Sequence, residues 1–179
     1  PDAQRGIMSG ILSGDAMAEL IPYYGSELLR DTMLYSDYVF HAQARQLALA
    51  NEHVGQPTYV YRFGMPVQMM QNLETPDGLV YGAPHAGELP YMFGNFTGDH
   101  MESTTPSERE LAVSEQMMTY WTNFAKYSNP NGDSTTLPQW PAYDGRNSSM
   151  IMRFTPENTA AQSDSWHKRL DKLNSYLSD

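Results

Sequence analysis

Val113, Met117, Tyr120 and Phe124 recur at intervals of four, three and four residues, which lays one apolar stripe along a helix running through about Tyr127. Nothing polar interrupts that stripe, so it predicts core packing. Thr105-Pro106-Ser107-Glu108 supplies a capping-box start with proline at the first helical position, and Asn129-Pro130-Asn131-Gly132 ends the helix. Tyr59-Val60-Tyr61-Arg62-Phe63 follows Pro57 and alternates large aromatics with other side chains, as a strand does. Met150-Ile151-Met152-Arg153-Phe154 reads as a second short strand, the last of its sheet. Between them, Trp140-Pro141-Ala142-Tyr143 reads as an irregular aromatic anchor.

The flanking segments are helical in pattern. Gly14-Asp15 starts a short helix through Leu20, stopped by Pro22 and Gly25, and Ser26 starts another turn with Leu28 and Leu29. Asp37 is placed to cap a helix from about Tyr38 to His53, ended by Gly55. His41 and His53 share no metal-ligand spacing and read as structural or solvated. Near the end, Asp164 or Ser163 caps a helix that buries Trp166, Leu170, Leu173 and Leu177 and exposes Lys168, Arg169, Asp171 and Lys172. Residues 1–14, rich in Gly, Ser and Asp, read as a loop or frayed end. With no internal repeat and no low-complexity tract, the chain reads as a single structural unit.

Charge and composition exclude several functions. A net charge of −10, with only 11 Lys and Arg spread thinly, gives no surface for nucleic acid, because phosphate binding needs clustered cations. No apolar run reaches the length of a membrane span. The absence of Cys removes disulfides, thiolate catalysis and Cys-based zinc sites, and leaves the redox compartment open.

Gly82-Ala83-Pro84-His85-Ala86-Gly87-Glu88-Leu89-Pro90-Tyr91-Met92-Phe93-Gly94 places one histidine on a loop, since Gly82 and Pro84 keep a helix from running into His85. Met65, Met69, Met70 and Met92 either line an apolar pocket near it or fill a core. Ser9 and Ser13 each precede a glycine, yet Gly6-Ile7-Met8-Ser9-Gly10 and Gly10-Ile11-Leu12-Ser13-Gly14 set the serine one position too late for a nucleophile elbow. His85-x-x-Glu88 as half of a metal site fails for want of a second such pair. The stretch from His85 to Gly94 resembles the segment around the catalytic histidine of the type-B carboxylesterase and cholinesterase family. Ala86 stands where that family often has Gly, and Gly87 where it often has Asp. Trp121, Phe124-Ala125, Asn129-Pro130-Asn131 and Trp140-Pro141-Ala142-Tyr143 resemble a second signature of the family, with Ser128 in place of the usual Gly. A third block is Ser36-Asp37 with Phe40, then Tyr59 to Phe63.

The resemblance implies an α/β fold: the C-terminal portion of an α/β hydrolase, a few sheet strands with flanking helices, incomplete without its N-terminal part. It implies hydrolysis of a carboxylic ester by a Ser-His-Glu triad in which His85 is the general base, without metal or organic cofactor. In this fold the triad follows the chain order Ser, acid, His, so the partner of these residues is the N-terminal portion bearing the serine and the glutamate. Glu88, three residues after His85, reads as fixing the loop rather than as the triad acid. The cholinesterase-like fold also serves as a noncatalytic protein-binding domain, and a substituted upstream serine would mark that alternative. A parallel sheet lacking its central strands exposes unpaired edges. The chain made alone is therefore expected to aggregate; a monomer that unfolds cooperatively, by light scattering and calorimetry, would contradict this.

Overall fold

The structure, a computed structural model, describes residues 2–66, 83–97, 105–133, 136–145 and 149–177. Where the sequence suggested a single unit, the chain divides into two compact ones: Pro1–Thr58 with Tyr143–Ser149 and Ser163–Asp179, and Tyr59–Ala142 with Met150–Gln162.

The first unit is helical. Its opening is α1 (Asp2–Ile11), which corrects the reading of residues 1–14 as a loop or frayed end. Met8 and Leu12 lie one turn apart and are buried, and that contact outweighs the poor helix propensity of the glycines and serines around them. Ser13 then caps α2 (Gly14–Tyr24), accepting from the Ala16 N–H at 3.2 Å. Pro22 sits inside α2 instead of stopping it. It falls in the last turn, where few helical bonds remain to be lost, and the helix ends at Gly25 with φ 89°, whose N–H returns to the Ile21 carbonyl. Ser26 caps α3 (Glu27–Ser36) as expected, on the Leu29 N–H at 3.1 Å.

Asp37 is no cap. It opens a π-helical turn, Asp37–His41, that leads directly into α4 (Ala42–His53). Its side chain is only 1% exposed. Oδ2 accepts from the Tyr24 hydroxyl at 2.8 Å, and Oδ1 accepts from Arg169 Nη2 at 3.2 Å and lies 2.8 Å from His41 Nδ1. Arg169 Nε sits 2.8 Å from Oδ2. Arg169 belongs to α7 (His167–Asn174), the last helix, so the side chain expected on a solvated face is buried instead, with its guanidinium 4.0 Å from the Trp166 ring. Arg45 of α4 grips Asp171 of α7 through two bonds, Nε to Oδ1 at 2.6 Å and Nη2 to Oδ2 at 2.8 Å, and donates to the Tyr143 hydroxyl.

The second unit holds the sheet. β1 (Tyr61–Phe63) pairs in parallel with β2 (Met150–Phe154), Tyr61 opposite Met152 and Phe63 opposite Phe154. β2 is not the last strand: β3 (Thr159–Ser163) lies on its other side, giving the order β1-β2-β3. The connection through residues 155–158 is too short for a parallel crossover, so β3 returns antiparallel. Arg109 fastens that corner, donating from Nη2 to the Thr155 carbonyl at 2.8 Å and to Thr159 Oγ1 at 3.1 Å.

Among the described residues of this unit, the sheet is joined by the short α5 (Leu89–Phe93) and the long α6 (Glu108–Tyr127). The capping box of α6 sits two residues later than the sequence suggested. Ser107 Oγ accepts from the Glu110 N–H at 3.2 Å and Glu110 Oε2 accepts from the Ser107 N–H at 2.8 Å, so Pro106 precedes the helix. Val113, Met117 and Tyr120 pack with Trp140, Met152 and Phe154, while Phe124 is 49% exposed and leaves the stripe. Trp140 Nε1 donates to the Val60 carbonyl at 3.1 Å, and its ring meets Tyr120 edge-on at 5.2 Å. Asn131 brackets the Trp140 backbone, Oδ1 accepting from its N–H at 2.7 Å and Nδ2 donating to its carbonyl at 2.9 Å.

Burial alone would raise the Asp37 pKa, yet His41 and Arg169 hold it below its ordinary value. A depressed carboxylate pKa contributes stability that is present above the unfolded pKa and lost as pH falls through the folded one. Asp37→Asn strands Arg169 without its counter-charge and is expected to cost about 3–5 kcal/mol in denaturant unfolding of the full-length polypeptide, with a smaller loss below about pH 4. An unchanged midpoint would contradict the network.

Candidate active site

The Pro84 carbonyl accepts from the Gly87 N–H at 3.0 Å, which closes a four-residue turn with His85 and Ala86 at its corners. Ala86 carries φ 63°, a left-handed backbone that turns of this kind usually assign to glycine. Its carbonyl accepts from the Leu89 N–H at 3.2 Å, and the Glu88 carbonyl accepts from Met92 at 2.9 Å, so the turn passes straight into α5. Gly94, at φ 62°, ends that helix. His85 is exposed on this corner, and so is the loop position expected of it.

Tyr91 holds α5 in place. Its buried ring meets Phe63 of β1 edge-on at 4.9 Å, its hydroxyl donates to Glu110 Oε1 at 3.1 Å, and its carbonyl accepts from Ser114 Oγ at 2.8 Å. Burial, with the negative charge of Glu110, pushes its hydroxyl pKa well up. These bonds fasten the turn's helix to α6 and to β1 within one unit. Sequence reading gave Tyr91 no role, although a buried tyrosine needs a partner for its hydroxyl and Glu110 stood one helical turn into α6. Burial, with the negative charge of Glu88, pushes the Tyr61 hydroxyl up to about 12.

The described methionines and the serines weighed from sequence, and several carboxylates beside them, have structural employment. Met65 and Met92 pack in the apolar cluster of the second unit, so those two fill a core; Met69, Met70 and Gly82 lie outside the described residues. Ser9 Oγ donates to the Arg5 carbonyl at 2.9 Å and Ser13 is a cap. Glu19 binds Lys172 at 2.8 Å, Glu52 accepts from the Gly145 N–H at 3.1 Å, and Arg30 holds both Glu27 and Asp31. A cleft of about 290 Å³ in the first unit is lined by Arg5, Leu12, Met17, Ile21, Glu27 and Arg30. Its two arginines already pair with Glu27 and with Asp31, which leaves no charge aimed at a ligand. Among the described residues, no group of three or more His, Cys, Asp or Glu stands ready to hold a metal ion, and no helix is long and apolar enough to cross a membrane.

A sequence profile described as the carboxylesterase family matches residues 26–172. The chain is 35% identical over 158 residues to an acylcarnitine hydrolase of Mus musculus, covering 78% of this chain and 26% of that one. It is 35% identical over 100 residues to the cocaine esterase of Homo sapiens, covering 56% of this chain and 17% of that one. Among solved structures it superimposes on a carboxylesterase of Geobacillus stearothermophilus with a TM-score of 0.63 and 24% identity, covering 87% of this chain and 31% of that one. A PNB esterase matches with a TM-score of 0.66 and 24% identity over 96% of this chain and 33% of its own. The chain therefore spans about a quarter or less of the curated relatives and about a third of the solved ones. The structural likeness identifies the fold as part of an α/β hydrolase.

Gly87 has no room for a side chain: a Cβ there would lie 2.9 Å from Pro84 Cδ and 3.0 Å from the Pro84 carbonyl oxygen. Glycine at this position thus goes with proline at 84. Gly87→Ala is expected to destabilise the full-length polypeptide by about 1–3 kcal/mol, read as a lowered urea midpoint; an unmoved midpoint would contradict the turn geometry.

Proposed function

The chain belongs to the carboxylesterase family, and from that premise we propose that it carries the general base, His85, of a serine esterase whose nucleophile and acid come from outside these 179 residues. The observation that carries the reading is the placement of His85, exposed at the corner of a hydrogen-bonded turn that Tyr91 ties to α6 and β1. A base on a rigid corner meets an incoming hydroxyl in a fixed direction. Loops held in this way carry chemistry because the scaffold bears the cost of ordering them before substrate arrives.

In the proposed reaction the serine oxygen attacks the ester carbonyl carbon while the imidazole of His85 takes the hydroxyl proton. The carbonyl oxygen becomes an oxyanion, stabilised by backbone N–H groups of the completed site. The tetrahedral intermediate collapses, the C–O bond to the alcohol breaks, and the imidazolium returns its proton to the departing alkoxide. Water then repeats the sequence on the acyl-enzyme, with His85 again taking and returning the proton, and the carboxylic acid leaves. The glutamate orients the imidazole through its other nitrogen and stabilises the imidazolium. The reaction needs no cofactor. Glu88 serves here through its backbone, its carbonyl accepting from the Tyr91 and Met92 N–H groups at the start of α5, and takes no part in the proposed proton transfer.

His85→Asn in the full-length polypeptide is expected to lower kcat for a simple aryl ester by at least about 1,000-fold, with KM little changed and the unfolding midpoint preserved. A folded variant that keeps its kcat would remove His85 from the mechanism. A folded wild-type polypeptide inert toward esters would favour the noncatalytic binding domain.

A further inference from the structure

Ala86, where the resembled family often has glycine, and Ser128, in place of its usual glycine, both have left-handed backbones here, at φ 63° and φ 54°. Ser128 ends α6, its N–H returning to the Phe124 carbonyl at 2.8 Å. Such a helix end favours glycine, and the serine there has only a structural duty. Ala86 adjoins His85. Resting on the esterase reading above, we propose that Ala86 is a positioning residue: its methyl group confines the turn and thereby fixes the direction of the imidazole.

Glycine satisfies a positive φ without steric cost, but it also enters the mirror regions of backbone space that other residues avoid. Alanine keeps a left-handed φ only where the surroundings over-determine it. They do so here. One hydrogen bond spans Ala86 from Pro84 to Gly87 at 3.0 Å, and a second runs from its own carbonyl to the Leu89 N–H at 3.2 Å. The Pro84 ring closes off the space beside Gly87. The left-handed well open to alanine is small, so the peptide plane joining His85 to Ala86 has little room to rock while both bonds hold. Strain at this residue thus goes together with a fixed imidazole. Replacing it with glycine removes the strain and widens the well at once, and the two effects pull stability and rate in opposite directions.

The test is a pair of substitutions in the full-length polypeptide, Ala86→Gly and Ser128→Gly. Both relieve a left-handed backbone, and both are expected to raise Tm by about 1 °C or more. Only Ala86→Gly is expected to lower kcat, by about 3- to 10-fold with KM unchanged, because proton transfer depends steeply on the position of the base. Hydrogen exchange at the Gly87 amide should quicken in the same variant. An active wild type whose Ala86→Gly variant keeps its kcat, or loses rate only through KM, would overturn the inference while leaving the esterase reading intact. A folded wild type without esterase activity would remove both.

Discussion

The parallel pairing of β1 with β2 is the constraint on which the second unit depends. Strands running in the same direction cannot be joined by a tight turn, so the chain between Phe63 and Met150 must leave the sheet, cross a face and return. Among the described residues, that crossover contains the His85 turn, α5 and α6. Parallel strands also need covering, and Val113, Met117 and Tyr120 of α6 meet the requirement together with Trp140. Trp140 is 3% exposed and donates to the Val60 carbonyl beside β1. The Asn131 side chain holds its backbone from both sides, which gives the Asn-Pro-Asn and Trp-Pro spacing a physical meaning. A sheet packed in this way gives the turn a firm base, and Tyr91 passes that firmness to α5.

The first unit rests on a different interaction. Asp37 is a buried charge, and its burial is tolerable because Arg169, His41 and Tyr24 all point polar atoms at it. These partners come from α2, the π-helical turn and α7, so one carboxylate ties together segments far apart in sequence. The turn itself shows how: the Ala42 N–H reaches back to the Asp37 carbonyl, one residue farther than in an α-helix, within a helix that otherwise runs on from α3 to α4. The cost of removing water from such a group makes the arrangement specific more than it makes it strong.

Elements dominated by one apolar period were legible. The α6 stripe, the strand at Tyr61, the end of α4 near Gly55 and the Trp140 anchor could all be read from residue type and spacing. So could His85 on a loop, because Pro84 and the glycines disfavour helix there. What escaped depended on partners distant in sequence. Asp37 has the composition of a cap and Arg169 that of a solvated face, and only their meeting, 132 positions apart, buries them both. α1 looked like a loop because local propensity was weak and its stabilising contacts were tertiary. Its buried pair, Met8 and Leu12, was too sparse a signal among glycines and serines. β3, Thr-Ala-Ala-Gln-Ser, has no aromatic and a single β-branched residue to advertise a strand, and it forms because β2 offers it an edge. The left-handed backbone at Ala86 was present in sequence only as a departure from glycine. Two carboxylesterase positions occupied by Ala and Ser said that something was unusual, and the backbone angles show what it is.

The central claim is that His85 activates a serine in the completed enzyme. Labelling of the full-length polypeptide with a fluorophosphonate, followed by peptide mapping, tests it most directly, because the probe reacts with a serine whose proton a base removes. The account predicts stoichiometric label on one serine outside these 179 residues, lost when His85 is replaced and the fold is kept. A folded wild-type polypeptide that takes up no label, or label that persists without His85, would contradict it.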